Sequence, residues 1–187
     1  HELRTPLNSL LILAKLLSDN PEENLSEKQV EFAKTIHSSG QDLLTLINDI
    51  LDLSKIESGM MTVALSDVSF REIGELTDRT FRQVADDKNL DFTIELAENL
   101  PRSVHTDPTR LHQVLKNLLG NAFKFTDRGG VTLRMETALS GWSPGHEVLD
   151  RAASVIGFSV TDTGIGIPEE KQRIIFEAFQ QADASTT

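Results

Sequence analysis

HELRTPLNSLL, residues 1–11, opens the chain with an imidazole beside a carboxylate at the head of a helical pattern. Apolar side chains recur at spacings of three and four, the period of one helix face, through Leu3, Leu7, Leu10, Leu11, Ala14 and Leu17. The Asn-Pro pair that follows Asp19 predicts the end of this helix, because proline disfavours a helical residue before it. A neutral histidine nitrogen is a nucleophile near pH 7, and Glu2 can accept the ring proton of His1 or fix its tautomer. An isolated His-Glu pair is also common on solvated surfaces, so its role depends on the rest of the sequence.

A second helical pattern begins at Ser26, which forms a capping-box pair with Gln29. Its apolar stripe extends to Gly59, a typical helix-ending residue, through Val30, Ala33, Ile36, Leu43, Leu44, Ile47, Ile50, Leu51 and Ile56. A helix of this length spans roughly 50 Å at about 1.5 Å per residue, and one shorter partner cannot cover its stripe. We therefore expect residues 1–59 to form a helical hairpin that dimerises into a four-helix bundle. A monomeric helix packed on a second domain is the alternative.

The pattern changes after Gly59, and we place a domain boundary near Gly59 and Met60. Residues 61–68 and 90–96 alternate like strands, and Ser69 with Glu72 forms a second capping box before a helical stripe. The order of strand, helix and strand marks a new domain. Residues 60–187 are therefore predicted to form a two-layer α/β sandwich with a mixed sheet, which makes the fold class α+β.

The later part of this domain contains one further helix and two neighbouring strands. Asp107 followed by Pro108 predicts the helix start. Its expected buried face consists of Leu111, Val114, Leu115, Leu118, Leu119 and Ala122. Residues 131–137 and 155–161 are predicted to be strands, separated by a long loop around Trp142. This tryptophan marks either an interaction site or a partly buried anchor of the loop.

Composition excludes several classes of function. The 187-residue chain carries a formal net charge of −11, which argues against a protein that tracks nucleic-acid phosphates with a basic face. It has no cysteine, so disulfides, thiolate zinc sites and cysteine nucleophiles are excluded. The sequence contains neither a long apolar run nor a basic leader with an apolar core. We expect a soluble piece located in the cytoplasm, whose parent protein can still carry a membrane anchor.

Two groups of polar residues are candidates for binding a ligand. Asn117, Asn121 and Lys124 are spaced four and three apart, so they share one face of the predicted helix. Amide oxygens suit Mg²⁺, and an ammonium group can meet a phosphate, although such a face is often simply solvated. Asp162 is predicted at the end of a strand, where its carboxylate can accept a hydrogen bond from the exocyclic amine of adenine. Gly164 and Gly166 follow it and allow close backbone approach or a positive φ.

Four blocks of the sequence resemble the motifs of two-component sensor histidine kinases. They are HELRTPLNSLL at residues 1–11, NLLGNAFKFT at 117–126, DTGIGI at 162–167 and FEAFQQAD at 176–183. Each block alone is weak evidence, but all four occur in the order and with the spacing of the family. The resemblance covers nearly the whole chain apart from an irregular segment near residues 140–153.

The resemblance implies a protein-histidine kinase core that uses ATP and Mg²⁺. In this family a dimeric phospho-acceptor hairpin precedes the ATP-binding fold shared with type II topoisomerases, a heat-shock chaperone and mismatch-repair proteins. It implies that His1 is phosphorylated and that the phosphoryl group passes to an aspartate of a response-regulator receiver domain. That domain is either a separate protein or a later part of the parent chain, as in a hybrid kinase.

The resemblance also implies roles for single residues. By motif match, Asn121 is the magnesium ligand, Asn117 a supporting polar contact and Lys124 a phosphate contact. The E-x-x-T arrangement of Glu2 and Thr5 resembles the phosphatase motif of the family, in which the threonine hydroxyl orients an attacking water. A threonine bonded to its own helix backbone is the alternative. The block FEAFQQAD borders the nucleotide lid of the family, so we expect it to have a positioning rather than a catalytic role, with plain core as the alternative.

Two other classes of protein share parts of this pattern. A non-catalytic dimeric adaptor would have a degenerate nucleotide site, but His1, Asn121 and Asp162 are all present. An ATPase of the chaperone or topoisomerase kind would not carry an HELRTP helix before the fold.

By the resemblance, part of the bundle precedes residue 1, and a lid and a second glycine-rich motif follow Thr187. We therefore expect residues 1–187 alone to bind ATP weakly and to label His1 poorly.

Overall fold

The computed structural model describes residues 4–143 and 145–172, apart from the side chain of Asp49. The chain divides into two compact units, His1–Val63 and Ala64–Thr187. This division lies four residues after the predicted boundary at Gly59. None of the described helices combines the length and the apolar character that crossing a membrane requires.

The first unit is a pair of helices, α1 (Arg4–Asp19) and α2 (Glu27–Glu57). The predicted capping box is confirmed, since Ser26 and Gln29 each bond the backbone N–H of the other. Leu11 and Ala14 of α1 are buried, as is Ala33 of α2. The helices approach closely at Gly40 of α2, where an added Cβ would lie 2.9 Å from a methyl carbon of Leu11. Near the start of α1, the Arg4 guanidinium donates to Asn48 Oδ1 over 2.6 Å.

The described part of the second unit contains five strands, three further α-helices and a single turn of 3₁₀ helix at Glu169–Lys171. The elements follow one another as β1 (Ser66–Ser69), α3 (Phe70–Lys88), β2 (Asp91–Leu96), β3 (Ser103–Thr106), α4 (Pro108–Phe125), β4 (Gly130–Ala138), α5 (Glu147–Arg151) and β5 (Val155–Asp162). In the larger sheet, β4 lies between β2, to which it is parallel, and β5, to which it is antiparallel. The smaller sheet pairs β1 with β3. The predicted mixed sheet is confirmed.

The strand predicted at residues 61–68 is wrong in extent, because β1 begins only at Ser66. Its partner β3 offers just four residues, from Ser103 to Thr106, so no ladder is available to residues before Ser66. Their apolar side chains remain outside the core, and Val63 and Leu65 are each 59% exposed. The weak alternation of apolar and polar residues before Ser66 is therefore not matched by a strand.

The core of the second unit lies between the larger sheet and helices α3 and α4. Phe123 of α4 stacks on Phe81 of α3 with 5.5 Å between ring centroids, and it meets Phe92 of β2 edge-on at 5.2 Å. Lys88, the last residue of α3, donates to the carbonyl oxygen of Phe123 over 2.6 Å. The C-terminal turns of α4 are thus fixed by packing and by a charged hydrogen bond.

The long loop between β4 and β5 is anchored by its tryptophan. Trp142 is half-buried, and its Nε1–H donates to Asp150 Oδ1 over 2.8 Å. This agrees with the loop-anchor alternative. The short helix α5 occupies the second half of the loop, where the sequence predicted no element.

Candidate functional site

Helix α4 starts at the buried carboxylate of Asp107, which accepts hydrogen bonds from the first turn of α4 and from Ala64. Asp107 Oδ1 accepts from the N–H groups of Thr109 and Arg110 over 2.9 and 3.1 Å, which caps the helix as predicted. Its Oδ2 accepts from the N–H of Ala64 over 2.9 Å, at the first residue of the second unit. The N–H groups of Ala64 and Arg110 hold the pKa of Asp107 below its ordinary value.

The predicted amide face of α4 is exposed. Asn117, Asn121 and Lys124 all lie on the solvent side of the helix. Neither asparagine side chain has a hydrogen-bond partner among the described residues, so both amide groups are available to a ligand. The Lys124 ammonium lies 5.2 Å from the ring centroid of Phe125.

The prediction that Val114 and Leu118 belong to the buried face is wrong. They are 54% and 43% exposed, because α4 turns a narrower stripe to the core. That stripe consists of Leu115, Leu119, Ala122 and Phe123. Val114 and Leu118 instead share the solvent side with Asn117 and Asn121, and each lies three residues before one of the two asparagines. The exposed face therefore has apolar side chains beside its polar ones, a mixture that suits a nucleoside and its phosphates.

Asp162 is the last residue of β5, as predicted. Its Oδ1 accepts from the N–H of Gly164 over 2.8 Å. The side chain is exposed, and Oδ2 has no hydrogen-bond partner among the described residues. One oxygen thus holds the turn, while the other remains available to a donor such as an exocyclic amine.

The turn after Asp162 packs on the end of α4. The N–H of Ile165 donates to the carbonyl oxygen of Phe125 over 3.3 Å. Because Lys124 precedes Phe125, this bond brings the aspartate turn next to the lysine end of the amide face. The structure therefore packs the turn after Asp162 against the C-terminal end of the helix that carries Asn117, Asn121 and Lys124.

The two glycines of the turn are required for different structural reasons. A Cβ on Gly164 would lie 2.4 Å from the carbonyl oxygen of Phe125, so only glycine permits this approach. Gly166 has open space around it but a φ of +70°, a conformation that glycine adopts readily. Gly164 thus approaches the end of α4, and its approach to a ligand stays a prediction.

The other predicted residues are divided between described and undescribed parts of the chain. Thr5 lies in the first turn of α1 with its side chain exposed. His1, Glu2 and the FEAFQQAD block at residues 176–183 lie outside the described residues. Among the described residues, no cluster of three histidine or acidic side chains could hold a metal ion. A bound metal would therefore combine amide oxygens with ligands from phosphate and water.

Sequence reasoning missed two contacts of the site. One is the second bond of Asp107, which reaches Ala64 across 43 positions of the chain. The other is the hydroxyl of Thr163, which is bonded to the turn between α4 and β4. A threonine directly after the motif aspartate is the one sequence signal that could have indicated this contact.

The two-layer sandwich, with an amide-bearing helix next to an aspartate-glycine turn, defines a class of ATP-binding domain. Residues 106–187 match the family described as histidine kinase-, DNA gyrase B-, and HSP90-like ATPase. Residues 1–59 match the family described as His Kinase A (phospho-acceptor) domain. The chain belongs to the histidine kinases of two-component signal transduction, whose catalytic core joins these two domains.

Curated relatives align with nearly the whole chain. Hybrid signal transduction histidine kinase K of Dictyostelium discoideum is 40% identical over 99% of this chain and 15% of its own length. The autoinducer 2 sensor kinase/phosphatase LuxQ of Vibrio cholerae is 36% identical over 100% of this chain and 20% of its own. The histidine-protein kinase BarA of Escherichia coli is 36% identical over 99% and 19%. The chain thus spans no more than a fifth of the length of these relatives.

Solved structures share the fold. Full-length ShkA in complex with AMPPNP matches with a TM-score of 0.72 and 32% identity, over 98% of this chain and 36% of that one. The histidine kinase ThkA in complex with response regulator protein TrrA matches with a TM-score of 0.59 and 20% identity, over 96% and 49%. At that lower identity the second match shows the fold alone.

Proposed function

We propose that the chain is the catalytic core of a protein-histidine kinase that binds ATP in residues 60–187 and transfers its γ-phosphoryl group to His1. The observation that carries the proposal is the packing of the Asp162 turn, whose Oδ2 has no partner among the described residues, on the end of the helix that carries the exposed amides. The match to the phospho-acceptor family over residues 1–59 supports the acceptor role of His1. The AMPPNP complex of ShkA supports ATP as the nucleotide.

In the proposed binding mode, the second oxygen of Asp162 accepts a hydrogen bond from the exocyclic amine of adenine. The triphosphate then extends along α4 past Lys124 toward Asn121. Lys124 offsets phosphate charge, which matters in a chain with a net charge of −11. Val114 and Leu118 contribute apolar surface to the same face. Gly164 and Gly166 maintain the turn that presents Asp162.

Magnesium is the metal that fits the donors of this face. Asn121 offers a neutral amide oxygen with no other partner among the described residues, and Asn117, about 6 Å away along the helix, can support it. When bound, the ion would neutralise charge on the phosphoryl oxygens.

The proposed reaction is an in-line displacement. One ring nitrogen of His1 forms a bond to the γ-phosphorus, while the bond from that phosphorus to the bridging oxygen breaks and ADP leaves with the electron pair. The proton on the other ring nitrogen passes to Glu2, which leaves an uncharged imidazole ring that carries the anionic phosphoryl group. The product can donate its phosphoryl group to a carboxylate.

We infer that the next acceptor is an aspartate of a response-regulator receiver domain. The hybrid kinases among the relatives support this partner. Thr5 is proposed to orient a water molecule that hydrolyses the phosphoaspartate of the regulator. Its exposed position in the first turn of α1 supports that role, as does the sensor kinase/phosphatase LuxQ among the relatives.

The hairpin is proposed to dimerise. Leucine, isoleucine and phenylalanine side chains remain exposed at helical spacings on both helices, at Leu10, Leu13, Leu17, Phe32, Ile36, Leu43, Leu46 and Ile50. A second copy would cover this surface and complete a four-helix bundle.

The expected cytoplasmic location remains part of the proposal, because the reaction consumes ATP.

Sedimentation of L46K tests the dimer. We expect this variant to be monomeric at concentrations at which the wild type is dimeric. The matched control is L139K, which alters a side chain that is 90% exposed in the second unit and should leave the dimer intact. A monomeric wild type, or equal effects of both variants, would reject the bundle and favour the packing of α2 on the second unit.

The kinase activity is tested with γ-labelled ATP and Mg²⁺. We expect label on the protein that is lost in acid and retained in base, as a phosphoimidazole requires, together with one ADP for each group transferred. Residues 1–187 and a longer protein are assayed in parallel, since the resemblance implies a lid and a second glycine-rich motif after Thr187. If the longer protein binds ATP but takes up no acid-labile label, the kinase proposal is wrong.

A further inference from the structure

The hydroxyl of Thr163 joins the turn that follows β5 to the turn between α4 and β4. Its Oγ1 accepts from the N–H of Gly130 over 3.0 Å and donates to the carbonyl oxygen of Arg128 over 2.9 Å. The N–H of Thr163 also donates to the carbonyl oxygen of Gly130 over 3.2 Å. The residue directly after Asp162 is thus tied to the turn that follows α4.

The turn after α4 is shaped to receive this hydroxyl. Gly129 has a φ of +95°, and a Cβ built on it would lie 2.3 Å from Thr163 Oγ1. Any larger residue at position 129 would therefore displace the threonine side chain. Both partners of the contact are specialised, which distinguishes it from an incidental hydrogen bond of a surface threonine.

Asp162 is consequently held on both sides. Its own Oδ1 is bonded to Gly164, and the backbone after it is fixed by Thr163. Recognition of an amine by a single carboxylate oxygen requires that oxygen to stay within about half an ångström of its place. We propose that Thr163 is a positioning residue for nucleotide recognition that acts through Asp162. This inference rests on the proposed adenine contact of Asp162.

A purely structural role would predict a different response. The bonds from Thr163 N–H to Gly130 and from Ile165 N–H to Phe125 do not involve the hydroxyl. They retain the turn on the end of α4 when the hydroxyl is removed, so a variant without it should fold. The loss should then appear in nucleotide affinity, and only while Asp162 is present to benefit from the positioning.

The experiment measures MgADP affinity by calorimetry on matched variants. T163V removes the hydroxyl with little change in shape and should weaken binding by about tenfold, the effect of roughly one ordinary hydrogen bond. T163S restores the hydroxyl and should bind within about twofold of the wild type. The control is T161V, at an exposed threonine two residues earlier in β5 whose hydroxyl has no partner among the described residues. It should also stay within about twofold.

A double-mutant cycle with D162N tests the route of the effect. In the D162N background, T163V should change affinity by less than about twofold, since the group that it positions has been altered. In autophosphorylation assays, T163V should raise KM for ATP and leave kcat unchanged. T163A provides a second variant without the hydroxyl, should T163V fold poorly.

Two outcomes would overturn the inference while leaving the proposed function intact. One is unchanged affinity in T163V and T163A when D162N binds weakly, and the other is an equal loss from T163V in both backgrounds. Unchanged affinity in D162N would remove the adenine contact itself, and with it both this inference and the proposed binding mode.

Discussion

Replacing Gly164 by alanine should displace the aspartate turn from the end of α4. The new Cβ would lie 2.4 Å from the carbonyl oxygen of Phe125 and 2.8 Å from Asp162 Oδ1. Ordinary contacts begin at 3.4 Å, so the turn must move by about 1 Å away from a backbone atom that cannot rotate aside. The bond from Ile165 to Phe125, already 3.3 Å long, would not survive such a shift.

We expect G164A to be destabilised by about 1–3 kcal/mol, the usual cost of forcing extra volume into a packed contact. MgADP affinity should fall by at least tenfold, because the bond between Gly164 and Asp162 is crowded at the same time. Urea unfolding and calorimetry measure the two effects.

The matched control is G120A, which makes the same chemical change within α4. An added Cβ there meets nothing within 4 Å, so this variant should be more stable by about 0.5–1 kcal/mol. G166A should be destabilised by about 1–2 kcal/mol through its positive φ alone. If G164A were as stable as G120A and bound MgADP normally, the close approach to Phe125 would not be what requires glycine.

N121A should weaken MgATP binding by about tenfold and leave binding of metal-free ADP within about twofold, measured by calorimetry with and without Mg²⁺; equal losses in both conditions would remove its role as a metal ligand. T5A should abolish regulator dephosphorylation while autophosphorylation survives, followed by the decay of labelled regulator; an unchanged decay rate would reject the role of Thr5. Asp107 has a folded-state pKa below the ordinary aspartate value of about 3.9, so its ionisation contributes stability above that value and the contribution is lost as pH falls through the folded-state pKa. In D107N the amide oxygen can still cap α4, but the amide N–H group would face the N–H group of Ala64. The unfolding free energy of D107N should therefore depend less on pH below about 4 than the unfolding free energy of the wild type. Identical pH profiles of the two proteins would show that the ionised carboxylate is not what holds Ala64.

Local signals predicted the helix starts correctly. Ser26, Ser69 and Asp107 each bond backbone N–H groups two or three residues ahead, so the sequence around each residue contains both partners. The aspartate at the end of β5 was predictable for a similar reason, because strand alternation and the glycines after it are contiguous. Short-range physics decides all of these features.

Features that depend on distant partners were not predictable. Alternation before Ser66 suggested a longer strand, but strand length was set by the four residues of β3. Val114 and Leu118 have the right spacing for a buried stripe, yet the sheet covers only the other side of α4. The bond from Asp107 to Ala64 likewise depends on how the chain returns to the start of α4.

Transfer of the γ-phosphoryl group of ATP to His1 is tested most directly by comparing H1Q with H37Q. His37 lies half-buried within α2 and provides a matched loss of one imidazole. Each protein, extended past Thr187, is incubated with γ-labelled ATP and Mg²⁺, and the acid-labile label is mapped by peptide analysis. We predict that H1Q takes up no such label while its MgADP affinity stays within about twofold of the wild type, and that H37Q is labelled normally at His1. Acid-labile label on H1Q, or its loss from H37Q alone, would contradict the assignment of His1 as the phospho-acceptor.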